Sequence, residues 1–185
     1  MILLFNVRIT QHGLTHYRRA NWLPGFDRVD IFKYCLASYA VLRPLITRSV
    51  FFIELADEFK HRQEELDDYI KQLFPDVELY WYRNFFTRDW RRNWDKMGIG
   101  EDDLIWFAGN DDHIFMDYGL DVVEAGLKLL NEDPNPYSAI FYSHWVSVCR
   151  MSHHLGGQLS ACGNYVKFDW RCYDGIRILK AERFR

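Results

Sequence analysis

The sequence predicts an α/β protein with a mostly parallel central sheet and an antiparallel portion added late. Three observations lead there. Apolar runs of strand length at residues 2–9, 49–55 and 104–108 read as strands buried on both faces. Helical patterns stand between successive strands, the arrangement that gives parallel pairing through crossovers. The last segments, 138–148, 164–171 and 176–179, follow one another with turns between them instead of helices, which suits antiparallel addition.

Taken in order, residues 2–9 form the first strand, and Thr10 to Gly13 the turn that ends it. Residues 13–30 make a long loop with Pro24-Gly25 as a turn signal, and a loop of that length after a strand points to function. Asp30 is placed to cap a helix over 31–42, with Ile31, Tyr34, Cys35, Ser38 and Leu42 on one face and Pro44 at its end. Strand 49–55 runs into Ala56-Asp57-Glu58. An amphipathic helix over 59–74 follows, its stripe Leu66, Ile70, Leu73 and Phe74. Residues 77–82 are a third strand. Residues 87–96 favour helix, with Gly98 and Gly100 beyond its end. Strand 104–108 precedes a helix over 118–130, whose Leu120, Val123, Leu127 and Leu130 face the sheet. Asp174-Gly175 signals a hairpin between 164–171 and 176–179.

The totals narrow the function. With 185 residues the chain fits one domain, 1–185, and its abrupt end in Arg-Phe-Arg suits a domain excised from a longer chain. A net charge of −3 disfavours general nucleic-acid binding. Four Cys without a C-x-x-C pair suit reduced thiols and a cytoplasmic protein. Neither a signal peptide nor a transmembrane segment is expected.

The chemistry concentrates after strand 104–108. Gly109 and Asn110 break the strand, and Asp111, Asp112 and His113 follow at what would be its C-terminal edge, where open α/β sheets bind ligands. Adjacent carboxylates repel unless solvent or a cation relieves them. Hard oxygen donors favour Mg²⁺ or Mn²⁺. The same residues would also serve as a solvated acidic turn that caps the next helix.

This arrangement resembles the GT-A-type glycosyltransferases over residues 1–130. In that family a comparable strand ends in an Asp-x-Asp metal motif; here Gly109-Asn110-Asp111-Asp112 keeps the last positions and lacks the first Asp. The resemblance implies a three-layer α/β/α sandwich, and a transferase that moves a sugar from a UDP- or GDP-sugar to a glycan or other hydroxyl acceptor. It implies Mn²⁺ or Mg²⁺ on Asp111 and Asp112, with His153 completing the metal site. Glu54 or Asp57 would meet the nucleotide's base or ribose, with Glu54 preferred, and Arg8 and Thr10 would line the base pocket. Arg91 and Arg92 match the family's helix before the metal strand and suit bidentate phosphate contacts, although a solvated helix face would look the same. Inversion needs a carboxylate base for the acceptor proton; Asp169, between Phe168 and Trp170, and Asp174 are the candidates.

Two rival readings use the same residues. Gly-Asn-Asp-Asp-His is also similar to the Gly-Asn-His motif of metallophosphoesterases, but the Asp-x-His that should follow the first strand is missing. A degenerate nucleotide-sugar-binding module would explain the lost first Asp without catalysis.

Overall fold

The structure is a computed structural model, and it describes residues 1–10, 27–82, 97–108, 120–134, 139–142, 159–162, 165–168 and 176–180. Its centre is β1 (Ile2–Ile9), flanked in parallel by β2 (Arg48–Leu55) and β4 (Leu104–Ala108), with β3 (Glu78–Tyr82) parallel outside β2. β8 (Ile176–Lys180) lies antiparallel between β4 and β5 (Ala139–Tyr142), giving the order β3-β2-β1-β4-β8-β5. The expected mostly parallel α/β sheet with a late antiparallel portion is therefore present. A separate two-stranded sheet pairs β6 (Leu159–Cys162) with β7 (Tyr165–Phe168). That pairing corrects the expected hairpin: β7 and β8 lie in different sheets, because β8 fills the slot between β4 and β5. No helix among the described residues is long and apolar enough to cross a membrane.

β1 and β4 run as anticipated because near-continuous apolar sequence suits a strand covered on both sides. On one face, Leu3, Phe5, Val7 and Ile9 join Phe51, Ile53 and Trp106 beneath the helices. Phe5 is the hub there, its ring edge-on to Phe32, Tyr39 and Phe51 at centroid distances of 5.9, 4.9 and 4.9 Å. Helices α1 (Arg28–Ser38), α2 (Gln63–Leu73) and α3 (Leu120–Glu132) all contribute to this face. On the other face, Ile2, Leu4, Val50, Phe52 and Ile105 are covered by Met97 and Ile99. The helix expected over 87–96 lies outside the described residues.

Helix α1 departs from expectation at its start. Asp27, not Asp30, is the N-cap: its Oδ1 accepts from Val29 N at 2.9 Å and Asp30 N at 3.1 Å. Asp30 answers as the other half of a capping box, its Oδ2 accepting from Asp27 N at 3.1 Å. The earlier start rotates the buried face onto Val29, Phe32, Cys35 and Leu36, and leaves Tyr34 67% exposed. The helix then tightens into a 3-10 turn, Tyr39–Leu45, that contains Pro44. A second 3-10 turn, Asp57–Arg62, replaces the expected first turn of the acidic helix.

Arg62 fastens these two helical regions. It donates to Asp27 at 2.5 Å, to Asp30 at 2.7 Å and twice to Glu65 at 2.8 Å. Glu65 also takes Lys33, whose ammonium lies 5.1 Å from the Tyr69 ring centre. Hydrogen bonds from Arg62 and then Lys33 hold the Glu65 carboxyl down at about 2, and hydrogen bonds to Glu65 and Asp30 raise the Arg62 guanidinium above its ordinary value.

Candidate functional site at the carboxyl edge of the sheet

The strand order defines one special position. From β1 the chain steps outward to β2 and β3 on one side, then crosses back to β4 on the other. The carboxyl ends of β1 and β4 thus flank the sheet's topological switch point, the place where the strand order reverses and where open α/β sheets bind ligands. In register, Ala108 pairs with Phe5, so β1 continues past the last paired β4 residue through Asn6, Val7, Arg8 and Ile9. The chain leaves β4 directly into Gly109-Asn110-Asp111-Asp112. Beside this point, Ala56 N donates to Ile9 O at 3.0 Å and ties the ends of β1 and β2 together.

The face opposite the helices changes character toward this edge. Its amino half is apolar, with Ile2, Leu4, Val50 and Ile105. Two residues on, β1 presents Asn6 and then Arg8, β2 presents Glu54, and β3 presents Tyr82. Arg8, Glu54 and Tyr82 are register partners across three neighbouring strands. Tyr82 leans on Phe52 at 5.5 Å with a 45° tilt, and Tyr80 stacks on the same Phe52 at 5.0 Å and 20°.

Glu54 is the unusual member. Its side chain is 7% exposed, while its ion-pair partner Arg8 is 52% exposed, with Arg8 Nε 3.6 Å from Glu54 Oε1. That separation is longer than a direct N–H···O hydrogen bond. The other oxygen, Oε2, is buried without a hydrogen-bond partner among the described residues. A buried polar atom in that condition is rare and calls for an explanation.

Of the two acids expected to serve this role, the structure distinguishes their settings. Asp57 opens the second 3-10 turn with its side chain 89% exposed and paired to Lys60. Hydrogen bonding from Lys60 lowers its pKa. Thr10 follows β1 half-buried. Arg91, Arg92, Asp111, Asp112, His153, Asp169 and Asp174 lie outside the described residues. Among the described residues, no three His, Cys, Asp or Glu side chains converge to hold a metal ion. Asn6, 9% exposed, and Tyr82 were not foreseen as site residues. The available signal was Asn6 itself, a single amide inside a run that is otherwise apolar from Ile2 to Val7.

No protein-family model matches this sequence, and no curated protein matches it. Among solved structures, the crystal structure of 4-diphosphocytidyl-2C-methyl-D-erythritol synthase is similar to it with a TM-score of 0.48, over 98% of this chain and 74% of that one at 8% identity. A likeness that slight decides nothing about chemistry, which rests on the sheet edge itself.

Proposed function

We propose that this protein is a metal-dependent glycosyltransferase that uses a UDP- or GDP-sugar and a hydroxyl acceptor. The observation that carries the reading is the polar row Arg8–Glu54–Tyr82 beside the switch point, with the acidic stretch beginning where β4 ends. An enzyme of this kind needs a group to hold a nucleoside, and others to hold a diphosphate whose charge grows as the glycosidic bond breaks. Glu54 and Arg8 supply a buried acceptor and a half-exposed donor for the first task.

The donor set of Asp111, Asp112 and the Asn110 carbonyl oxygen suits Mn²⁺ or Mg²⁺, with His153 as a further ligand in this reading. Bound there, the cation supplies Lewis-acid stabilisation of the departing diphosphate. Arg91 and Arg92 add planar, bidentate contacts to phosphate oxygens. Asp169 or Asp174 would take the proton as the acceptor oxygen bonds to the anomeric carbon and the diphosphate leaves from the opposite face, a single displacement that inverts the configuration.

Isothermal titration with UDP and GDP, with and without Mn²⁺, tests the reading. It expects nucleotide binding that needs the metal and is lost in Asp112→Ala. Tight binding without donor turnover would shift the assignment to a binding module. Hydrolysis of simple phosphodiesters without affinity for nucleotides would overturn it.

A further inference from the structure

The outer strand of the sheet presents an edge whose sequence favours pairing. Among the described residues no strand lies beyond β3 in the order β3-β2-β1-β4-β8-β5. β2 takes the backbone donors and acceptors on one side of β3, and those on the other side face outward. Burial agrees. β2 is buried from Ser49 to Leu55, whereas all five residues of β3 reach solvent, with Tyr80 40% exposed.

An edge of this kind pairs with other strands unless the chain guards it, and the usual guards are charged side chains, Pro or a bulge. β3 reads Glu-Leu-Tyr-Trp-Tyr, without Lys or Pro, and its register with β2 runs without a bulge. Its one charge, Glu78, is drawn back over β2 by Arg48, which it meets through both oxygens. Trp81 is held from the helical side, its Nε1 donating to Asp67 Oδ1 of α2 at 3.1 Å. What remains is a strand rich in the aromatic residues that favour sheet, with an unguarded edge.

The residue pattern selects the occupant. A two-fold axis perpendicular to the sheet at Tyr80 lays β3 antiparallel on the β3 of a second copy. Tyr80 then stands opposite its own copy, Tyr82 opposite Glu78, and Leu79 opposite Trp81. Rings meet rings or apolar groups, and no charge meets its like. We propose that this protein self-associates through β3, so that two six-stranded sheets join edge to edge into one of twelve strands. Because the joined strands run antiparallel, the carboxyl edges of the two sheets point in opposite directions and the two candidate sites lie at opposite ends. The proposal is independent of the glycosyltransferase reading.

Sedimentation velocity of the unmodified chain across a concentration series tests it, together with hydrogen exchange at low and high concentration. Five residues a side make a small interface, so the expected dissociation constant is roughly 1–100 μM. Exchange at β3 should slow as concentration rises, while β1 and β2, already paired on both sides, should not change. Tyr80→Lys sets two like charges at the axis in place of two rings and should weaken association by about tenfold or more. Tyr80→Phe keeps the ring and should leave the constant unchanged. A single-chain mass throughout the series overturns the proposal. So does association whose constant is the same in Tyr80→Lys, or which slows exchange elsewhere and not at β3, since each places the contact on another surface. The exchange measurement needs no variant, so a Tyr80→Lys that fails to fold still leaves the proposal open to refutation.

Discussion

Replacing Arg8 with alanine perturbs the polar end of the sheet at one point and has an asymmetric consequence. At an effective dielectric of about 20, opposite charges separated by the 3.6 Å between Arg8 and Glu54 attract by about 4–5 kcal/mol. Arg8 is 52% exposed, so solvent reduces the useful part to roughly 1–3 kcal/mol. In Arg8→Ala the carboxylate stays buried and loses the one close countercharge it has among the described residues, so the protein should lose that full amount of stability. Glu54→Gln removes the buried charge instead, and its half-exposed partner is left solvated; the expected cost is under about 1 kcal/mol. The double variant should therefore resemble Glu54→Gln and be more stable than Arg8→Ala. Urea unfolding followed by circular dichroism reads all three, and a constant m-value would confirm that only stability changed. An Arg8→Ala midpoint equal to that of the unmodified protein, or below it by less than the Glu54→Gln loss, would refute the reasoning.

Arg62→Ala should destabilise by roughly 1–3 kcal/mol, since it strips hydrogen bonds from Asp27, Asp30 and Glu65 together, and a thermal melt will show it. The same cluster sets an acid limit. The Glu65 pKa is depressed from 4.5 to about 2, so its contribution is present above 4.5 and fades as pH falls toward 2. Urea midpoints measured across that window should decline less steeply in Arg62→Ala than in the unmodified protein. Phe5→Ala should cost about 3–5 kcal/mol by emptying the centre of a fully buried aromatic cluster, and a loss below about 1 kcal/mol would contradict that packing. Gly98 has φ +62° with nothing within 4 Å of a built Cβ, so Gly98→Ala should cost about 1 kcal/mol from backbone strain alone. A stabilised Gly98→Ala would refute the left-handed assignment.

Much of the fold was legible because the signals were local and agreed with one another. The apolar run from Ile2 to Ile9 is bounded by Thr10, and that from Leu104 to Ala108 by Asp103 and Gly109, so both strands match their expected limits. The start of α1 was less determined, because Asp27 and Asp30 are equally good caps by type. Arg62, 35 positions along the chain from Asp27, engages both, which the spacing does not reveal. The Asp174-Gly175 signal was locally sound, yet β8 gains two strand partners, β4 and β5, where a hairpin with β7 supplies one. The four-residue strand β6 was too short to show a period. At the site, Glu54 was legible as an acid near a strand end. Its burial was not, because an acid at a strand end reads the same in the sequence whether it is exposed or buried.

A comparison within one face bears on whether Glu54 is structural or functional. Among the described residues that face carries two Arg–Glu pairs. Toward the amino edge, Arg48 meets Glu78 through both oxygens, with its Nη2 donating to Oε2 at 2.8 Å, and Tyr80 OH donates to the same oxygen at 3.4 Å. These bonds lower the Glu78 pKa and raise that of Arg48, as expected of a satisfied pair. At the carboxyl edge, Arg8 and Glu54 form the second pair, more deeply buried on the acid side, longer, and with Oε2 accepting no hydrogen bond among the described residues. If pinning strands were the only requirement, the first pair shows how this sheet does it, with close geometry and every acceptor engaged. An apolar residue at position 54 would extend the buried row of Val50 and Phe52 without the cost of desolvating a charge. The incompletely bonded carboxylate stands at the edge where the strand order reverses, and an unsatisfied buried group there calls for an explanation beyond packing. The contrast between the two pairs therefore favours a ligand donor, rather than strand pinning, as the reason an acid occupies this position.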